Sequence, residues 1–225
     1  MSREIRPIGY IKTAFPTKFG IPRQAGLVSL TAEIVLNKEF SDIMCIRGIE
    51  DYSHLWVIWD FSDVPEYKWQ PTVRPPRLGG NKRVGVFATR SPYRPNPIGL
   101  SSVELVGVSQ KNGQTVICVR GADMKDGTPV YDIKPYLAYT DSHPQAVGGF
   151  SDAVLDYSLK VVIPKGELKK IPDELHSSLY EILSEDPRPS YQKDESRVYG
   201  FRFSDYEIKF TVVDNTLTVK EIKYC

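Results

Sequence analysis

The pattern of apolar and polar residues along the chain changes character once, near residue 160. Before that point, apolar residues come in short runs separated by turn-forming residues, a pattern typical of strands. The predicted strands span residues 4–13, 27–36, 54–61, 83–89, 100–109, 114–120, 129–137 and 153–163, and residues 42–50 fit a helical turn. Many short strands with frequent turns favour a closed or nearly closed β-barrel, because closure leaves no exposed sheet edge.

Beyond residue 160 the pattern predicts one helix followed by three strands. Four apolar residues recur at i, i+4, i+7 and i+8 and so share one face of an amphipathic helix. They are Leu175, Leu179, Ile182 and Leu183, with Pro172 near the helix start. Strand patterns follow at 198–203, 207–213 and 217–222. We therefore expect a mainly β protein, with a small closed β-barrel domain over residues 1–160 and a small α+β C-terminal domain over residues 161–225.

The composition is that of an ordinary soluble globular protein, with 41% hydrophobic and 25% charged residues among 225. Apolar runs are too short to span a bilayer, and the start MSREIRPIG lacks the apolar core of a signal peptide. We expect a cytoplasmic protein. The three cysteines and three histidines are scattered without ligand spacing, so the sequence predicts no metal site and no disulfide framework.

Residues 67–103 form a basic stretch, although the formal net charge of the whole chain is only +1. The stretch contains no Asp or Glu, and its basic residues are Lys68, Arg74, Arg77, Lys82, Arg83, Arg90 and Arg94. Frequent prolines and glycines exclude a helix there, because each proline removes an amide donor and fixes φ. Arginines held in stiff loops indicate an anionic partner, whereas the competing interpretation is a set of solvated connections.

Four segments in this order resemble the TsaA-like (TrmO) family of tRNA methyltransferases. They are PTVRPPRLGG at 71–80, GVFATRSPYRPNPIGLS at 85–101, DGTPVYDIKPYL at 126–137 and DPRPSY at 186–191. The resemblance implies a small non-Rossmann β-barrel that acts as a homodimer. It also implies transfer of a methyl group from S-adenosylmethionine to N6 of threonylcarbamoyladenosine at position 37 of tRNA. Consistently, no glycine-rich loop follows a strand and opens a helix in this sequence.

The same resemblance implies a set of cofactor-binding residues, each at a predicted strand end or loop. They are Pro22, Arg23, Gln24, His54, Leu55, Arg90, Leu100, Gly121, Ala122 and Asp123. Packing is an alternative role for the two leucines, and His54 can simply begin the apolar strand that follows it. Arg23 and Arg90 are the strongest candidates, since charged side chains in stiff loops contribute little packing.

The acceptor nitrogen belongs to a urea-like group, so a residue that removes or polarises its proton would assist methylation. Candidates for this role are Asp126, Asp132 and Tyr93, although Asp126 also fits as the turn residue of Asp-Gly. Arginine matches both the threonyl carboxylate and RNA phosphates by bidentate hydrogen bonding. The predicted substrate residues are Arg74, Arg77, Arg90 and Arg94 for the carboxylate, Lys82, Arg83 and Arg188 for the RNA backbone, and Tyr93, Tyr191 and Trp69 for base stacking.

Two other functions remain open from the sequence. One is a non-catalytic RNA-binding barrel that uses the same basic face without a cofactor. The other is a methyltransferase acting on a small metabolite or a different nucleic acid. Binding of S-adenosylmethionine distinguishes the first from an enzyme, and the modification state of cellular tRNA distinguishes the second from the activity that the resemblance implies.

Overall fold

The computed structural model describes residues 4–64, 69–75, 82–154, 157–188 and 194–225. Its strands are β1 Gly9–Lys12, β2 Thr31–Leu36, β3 His54–Asp60, β4 Thr72–Val73, β5 Val84–Gly85, β6 Ile98–Lys111, β7 Gln114–Arg120, β8 Pro129–Pro135, β9 Lys160–Val162, β10 Tyr199–Phe203, β11 Tyr206–Val213 and β12 Thr216–Tyr224. Its α-helices are α1 Ala138–Asp141, α2 Lys165–Leu168 and α3 His176–Ser184. Short 3₁₀ turns lie at Lys38–Phe40, Ile43–Ile46, Ile49–Asp51, Val86–Ala88, Gly149–Val154 and Asp173–Leu175.

Six strands close into a barrel in the order β1-β2-β7-β6-β3-β8. Pairing of Gly9 with Val130 joins β1 to β8 and completes the ring, and every neighbouring pair is antiparallel. Along β3, Leu55, Val57 and Trp59 are buried while the residues between them are more exposed. This alternation follows from the period of two in a strand, and it fills the barrel with apolar side chains. The predicted barrel is confirmed.

The C-terminal residues form a separate four-stranded sheet in the order β10-β11-β12-β9. Strand β9 runs parallel to β12, whereas the other pairs are antiparallel. Helix α3 contributes Leu179, Ile182 and Leu183 to the core of this unit, and these residues are almost fully buried. The predicted helix and the three predicted strands are therefore confirmed to within two residues at most ends.

Two predicted strands differ from the structure. The prediction for residues 153–163 was largely wrong, because a 3₁₀ turn ends at Val154 and only Lys160–Val162 forms a strand, in the C-terminal sheet. Residues 83–89 contain the two-residue strand β5 and then a 3₁₀ turn. The alternation that predicted a strand there reflects a turn in which Val86 alone is buried. At 4–13 and 27–36 the strands begin later than predicted.

The loop between β1 and β2 packs against the C-terminal sheet. Phe15 from this loop shares a buried cluster with Phe203, and their ring centroids are 6.3 Å apart. The Ser204 N–H donates to the Ala14 carbonyl oxygen at 2.7 Å. Gly20 adopts φ +87°, and a Cβ there would lie 2.3 Å from the Phe201 ring. The C-terminal unit therefore fixes the course of the loop that carries residues 22–24.

Candidate functional site

One end of the barrel contains a cavity that is lined by six of the ten predicted cofactor-binding residues and by Tyr93. Its volume is about 380 Å³, within the roughly 300–1,000 Å³ that is typical of small-molecule sites. The predicted residues that line it are Pro22, Arg23, Gln24, Arg90, Tyr93, Leu100 and Asp123. They come from four separate stretches of the chain, so folding rather than sequence proximity brings them together.

Strand pairing explains why these stretches meet. Strand β3 ends where β6 begins, and the register places Trp59 opposite Gly99. The end of β7 lies beside the start of β2, with Arg120 opposite Thr31. The Gly26 N–H donates to the Gly121 carbonyl oxygen at 2.8 Å, which ties the long β1–β2 loop to the segment after β7. One barrel end therefore holds residues 22–24, 59–64, 90–100 and 121–125.

Gly121 and Ala122 support this end of the barrel without lining the cavity. Gly121 adopts φ +85°, and a Cβ there would lie 3.1 Å from the Gly26 backbone. Ala122 is buried in the barrel core. Of the predicted trio, only Asp123 reaches the cavity wall.

His54 and Leu55 lie at the other end of β3 and do not line this cavity. Five residues separate His54 from Trp59, a distance of roughly 17 Å along a strand. Leu55 is fully buried in the barrel core, in agreement with a packing role. The His54 ring lies 6.1 Å from the Tyr136 ring, and its Nδ1 is 3.0 Å from Ser53 Oγ. Within one chain, His54 therefore lies on a different surface, and Leu55 lies in the core.

Hydrogen bonds hold the charged side chains of the cavity in place. The Arg90 guanidinium donates to the Gln24 side-chain oxygen, which links two of the predicted cofactor residues. Arg23 Nη2 donates to the Asp186 carbonyl oxygen at 2.9 Å, so the C-terminal motif orients this arginine. On the opposite wall, Lys125 forms an ion pair with Asp63 at 2.6 Å. The cavity therefore presents charges of both signs at defined positions.

The Asp123 carboxyl group on the cavity wall has a raised pKa. Burial raises the pKa of its carboxyl group, while a hydrogen bond from Ser101 and the charge of Arg90 act in the opposite direction. The Ser101 hydroxyl donates to Asp123 Oδ1 at 2.6 Å. Trp59, Phe61 and Asp60 also line the cavity but were absent from the predicted site. Their place at the end of a buried strand was the available signal.

A second, shallower groove of about 490 Å³ adjoins the cavity. Arg74 and Gln70 line this groove, and Pro92 and Tyr93 line both the groove and the cavity. Arg83 Nε donates to the Thr72 hydroxyl at 2.8 Å, beside the groove-lining strand β4. Tyr93 therefore stands in the wall between two adjacent binding spaces.

The basic loop next to this groove exposes an aromatic ring. Phe87 lies in the 3₁₀ turn Val86–Ala88, and 76% of its surface is exposed. The Arg94 guanidinium lies 6.0 Å from the centre of the Phe87 ring and 3.3 Å from the Thr89 carbonyl oxygen. Lys82 and Trp69, in the same basic stretch, are also exposed. The sequence did not indicate Phe87 as a site residue, because the sequence does not distinguish an exposed phenylalanine from a buried one.

The three candidates for proton removal lie in different places. Tyr93 lines the cavity. Asp126 accepts a hydrogen bond from the Thr13 N–H at 2.9 Å in an exposed turn, and it does not line the cavity. Asp132 lies on β8 and forms an ion pair with Lys134 at 2.8 Å. The geometry thus favours Tyr93 among the three, and it agrees with the turn interpretation of Asp126.

Arg188 is bound within the protein rather than presented to solvent. Its Nε and Nη2 donate to the two carboxylate oxygens of Asp186 at 2.8 and 2.9 Å, and only 10% of either side chain is exposed. Tyr157 Oη donates to the same carboxylate at 2.7 Å. Burial alone would raise the pKa of Asp186, but these hydrogen bonds hold that pKa below its usual value. Arg77 and Tyr191 lie outside the described residues.

Among the described residues, no group of three or more His, Cys, Asp or Glu side chains could hold a metal ion. Cys45, Cys118 and Cys225 are free thiols. In the same part of the chain, no helix has the length and apolar character needed to cross a membrane.

Comparisons with known proteins agree with the geometry of both units. A tRNA (adenine(37)-N6)-methyltransferase of Escherichia coli is 39% identical over 222 residues, covering 95% of this chain and 94% of that protein. A probable S-adenosyl-L-methionine-binding protein of Methanothermobacter thermautotrophicus is 37% identical over 142 residues, covering 63% of this chain and 96% of that protein. A crystal structure of TrmO from Pseudomonas aeruginosa has a TM-score of 0.80 at 30% identity, covering 100% of this chain and 98% of that one.

Family models match both units of the chain. The model described as the tRNA-methyltransferase O N-terminal domain matches residues 10–142, and the TrmO C-terminal domain matches residues 160–224. The first match alone covers more than half of the sequence, and the E. coli relative extends over nearly all of it. The chain therefore belongs to the tRNA-methyltransferase O family.

Proposed function

We propose that this protein transfers a methyl group from S-adenosylmethionine to N6 of threonylcarbamoyladenosine at position 37 of tRNA. The observation that carries the proposal is the pair of adjoining spaces that share Tyr93 in their common wall. Methyl transfer needs a donor and an acceptor held side by side, and this arrangement offers one space to each. The names of the E. coli and M. thermautotrophicus relatives support the tRNA substrate and the cofactor respectively.

The residues of the cavity fit S-adenosylmethionine. This cofactor combines an adenosine with an amino acid group that carries a carboxylate and an ammonium. Arg23 and Arg90 match the carboxylate, and Asp123 matches a hydrogen-bond-donating group. Leu100 and Ile21 add apolar contact surface for the adenine ring. The mixture of charges and apolar walls suits a zwitterionic nucleoside better than a purely anionic ligand.

When bound, the cofactor supplies a methyl group that is already activated on a sulfonium sulfur. The protein therefore contributes mainly alignment, which recovers roughly 7–11 kcal/mol of barrier for well-oriented reactants. N6 of the acceptor must lose its proton as the new nitrogen–carbon bond forms. The sulfur–methyl bond breaks in the same step, and the proton passes to solvent. In our proposal the Tyr93 hydroxyl oxygen, in the wall between the two spaces, accepts a hydrogen bond from N6–H and polarises it.

The shallow groove and the loop beside it suit the acceptor. Arg74 lines the groove and matches the threonyl carboxylate by bidentate hydrogen bonding. Lys82 and Arg83 are exposed and suit phosphate contacts. Phe87 presents a ring face with Arg94 nearby, an arrangement on which an unstacked anticodon-loop base can stack. Arg188 is omitted from this set, because its guanidinium is bound to Asp186.

Two further parts of the proposal concern the assembly and the compartment. The family resemblance implies a homodimer, and light scattering at micromolar concentration should give twice the mass of one chain. A single-chain mass would contradict the dimer. Modification of tRNA implies a cytoplasmic protein, which fractionation of cells that contain the protein would test.

Mass spectrometry of tRNA tests the proposed reaction. The tRNA of a strain that lacks the gene should contain threonylcarbamoyladenosine in place of its N6-methylated form. Purified protein with S-adenosylmethionine should add the methyl group to that isolated tRNA. Persistence of the methylated nucleoside, in a strain without a second such enzyme, would contradict the substrate. Absence of calorimetric binding to S-adenosylmethionine would instead favour the non-catalytic RNA-binding barrel.

A further inference from the structure

Two buried residues outside the predicted site form a hydrogen-bonded chain that ends on the Asp123 carboxylate. Trp59 Nε1 lies 2.9 Å from Ser101 Oγ, and Ser101 Oγ lies 2.6 Å from Asp123 Oδ1. The indole N–H can only donate, so the serine oxygen accepts from it. The single hydroxyl proton of Ser101 is then committed to Asp123. With the Asp123 carboxyl group ionised, the direction of both hydrogen bonds follows from the donor inventory.

The barrel holds the first two members of this chain rigidly. Trp59 lies on β3 and Ser101 on β6, and the two residues are 6% and 3% exposed. Gly99 lies so close to the indole that a Cβ there would be 2.2 Å from the Trp59 ring. On another side, the Phe61 ring centroid is 4.2 Å from that of Trp59. The indole therefore has little freedom to turn away from Ser101.

The charge state of Asp123 depends on this chain. Burial raises the pKa of the carboxyl group, and the Ser101 hydrogen bond and Arg90 oppose that rise. The other charged groups that line the cavity are Lys18, Arg23, Asp60, Asp63 and Lys125. Without the serine hydroxyl, less would counteract the effect of burial, so the pKa of Asp123 would rise further. The carboxyl group would also lose the hydrogen bond that fixes its orientation.

We propose that Trp59 and Ser101 are positioning residues that hold the Asp123 carboxylate toward a hydrogen-bond-donating group of the methyl donor. The inference rests on the proposed function, because it assumes that the cavity binds S-adenosylmethionine. Three parts of that molecule carry such donors: the ribose hydroxyls, the adenine amino group and the ammonium group. The hydrogen-bonded chain of Trp59, Ser101 and Asp123, called the relay below, can orient the same carboxylate toward any of these groups.

The test uses the full-length protein and four variants. Ser101→Ala removes the hydroxyl, Ser101→Thr keeps it, and Trp59→Phe keeps a ring but removes the N–H. Ser102→Ala is the matched control, since this neighbouring serine lies opposite Trp56 and outside the chain of hydrogen bonds. Two-dimensional NMR spectra verify that each variant is folded, and Trp59→Phe provides the test if the serine substitutions disturb the fold.

The first readout needs no cofactor. The carboxyl ¹³C resonance of Asp123, followed against pH, should report a higher pKa in Ser101→Ala than in the wild type. Ser101→Thr and Ser102→Ala should leave that pKa nearly unchanged. In the wild type, the Trp59 indole N–H resonance should shift with the same midpoint as the carboxyl resonance. Equal titration of Asp123 in Ser101→Ala and wild type would overturn the inference.

The second readout is calorimetric affinity for S-adenosylmethionine. Ser101→Ala should weaken binding roughly 10- to 100-fold, the range for a lost hydrogen bond to a charged group. Its affinity should also fall at a higher pH than that of the wild type as the solution is acidified. If the wild type binds S-adenosylmethionine and both Ser101→Ala and Trp59→Phe bind it equally tightly, the positioning role of Trp59 and Ser101 is refuted. If the wild type does not bind S-adenosylmethionine, the proposed function is refuted instead.

A third arm identifies the group that Asp123 contacts. The probe 5′-methylthioadenosine keeps the ribose of the cofactor but lacks the amino acid part. If Ser101→Ala weakens binding of this probe as much as that of S-adenosylmethionine, the carboxylate faces the adenosine part, at a ribose hydroxyl or the adenine amino group. If only the complete cofactor is affected, the carboxylate faces the ammonium. Either result supports the inference. If Ser101→Ala binds both the probe and S-adenosylmethionine as tightly as the wild type does, the inference is wrong.

Discussion

Arg90 illustrates how a single charged residue in a stiff loop indicates a site. Prolines at positions 92, 95 and 97 follow it closely, and in the structure its guanidinium donates to Gln24 on the cavity wall. Its side chain is exposed, so it contributes little to the core. The family resemblance implied Arg90 as a cofactor residue, and its charge in a stiff loop favoured a functional role over packing. Its role in cofactor binding stays a prediction.

Replacing Arg90 with Ala should therefore remove cofactor binding without unfolding the protein. We expect a loss of methylation of roughly 100- to 1,000-fold, the effect of deleting one well-placed donor. The free energy of unfolding should change by no more than about 0.5 kcal/mol, as for other exposed positions. Thermal unfolding and single-turnover methylation check the two parts. A variant that is unfolded at room temperature would instead assign Arg90 a structural role.

The burial of Asp123, in contrast, could not be predicted from the sequence and is shown only by the fold. Its pKa is raised above the ordinary value of an aspartate, first of all by burial. A carboxyl group whose pKa is higher in the folded state destabilises the fold as pH rises through that pKa. The asparagine variant cannot ionise, and its side-chain oxygen can still accept from Ser101.

Asp123→Asn should consequently gain stability relative to wild type as the pH rises from about 4, the ordinary pKa of aspartate, through the raised pKa of the folded state. Below the unfolded pKa both side chains are neutral, so the difference should then be independent of pH. Urea denaturation at several pH values measures it, and calorimetry should show weaker binding of S-adenosylmethionine by the variant. A difference in unfolding free energy that stays constant over this range would mean that Asp123 is not desolvated.

At the scale of elements, strand β6 contains two glycines with contrasting surroundings. A Cβ on Gly99 would meet the Trp59 ring at 2.2 Å, whereas a Cβ on Gly107 would meet nothing within 4 Å. Glycine normally weakens a strand relative to alanine. The close approach to Trp59 is therefore the reason for glycine at position 99.

Gly99→Ala should destabilise the barrel by about 1–3 kcal/mol, the usual cost of forcing extra volume into a packed site. Gly107→Ala, its control on the same strand, should be neutral or stabilising by up to about 1 kcal/mol. Chemical denaturation of both variants provides the comparison. If Gly99→Ala is as stable as Gly107→Ala, the indole has room to move, and the rigidity argued for the relay fails.

Elements with strong local patterns could be predicted from the sequence, and those defined by distant pairing could not. The apolar run of β3 and the helical spacing of α3 identified both elements, since each buries its own apolar face. By contrast, β9 has three residues and is held by parallel pairing with β12, more than fifty residues away. The 3₁₀ turn at Val86–Ala88 was predicted as a strand because its apolar residues alternate over a few positions. Local periodicity does not report such tertiary contacts.

At the scale of the whole molecule, the candidate site depends on both units. The resemblance and the charge pattern identified the cavity residues of the barrel. Neither revealed that Phe201 and Phe203 pack against the β1–β2 loop, or that Asp186 receives a hydrogen bond from Arg23. The C-terminal unit thus shapes the loop that carries three of the predicted cofactor residues.

The distribution of charge over the whole molecule leads to a prediction about tRNA binding. The net charge of +1 cannot attract a polyanion by itself, so attraction must come from the local basic stretch. Each phosphate that a side chain neutralises releases counterions and steepens the salt dependence of binding. Lys82→Ala and Arg83→Ala should therefore each weaken tRNA binding and reduce the slope of log affinity against log salt by about 1.

Phe87 and Lys220 provide two matched comparisons for the slope. Phe87→Ala should lower affinity by about 1–3 kcal/mol while leaving the slope unchanged, because stacking releases no counterions. Lys220 is exposed on β12 in the C-terminal sheet, and Lys220→Ala should change neither quantity. Fluorescence titrations of tRNA between about 50 and 200 mM salt give both values. Should Lys220→Ala reduce the slope as much as Lys82→Ala, attraction would be spread over the surface, and the basic stretch would not be the tRNA-binding face.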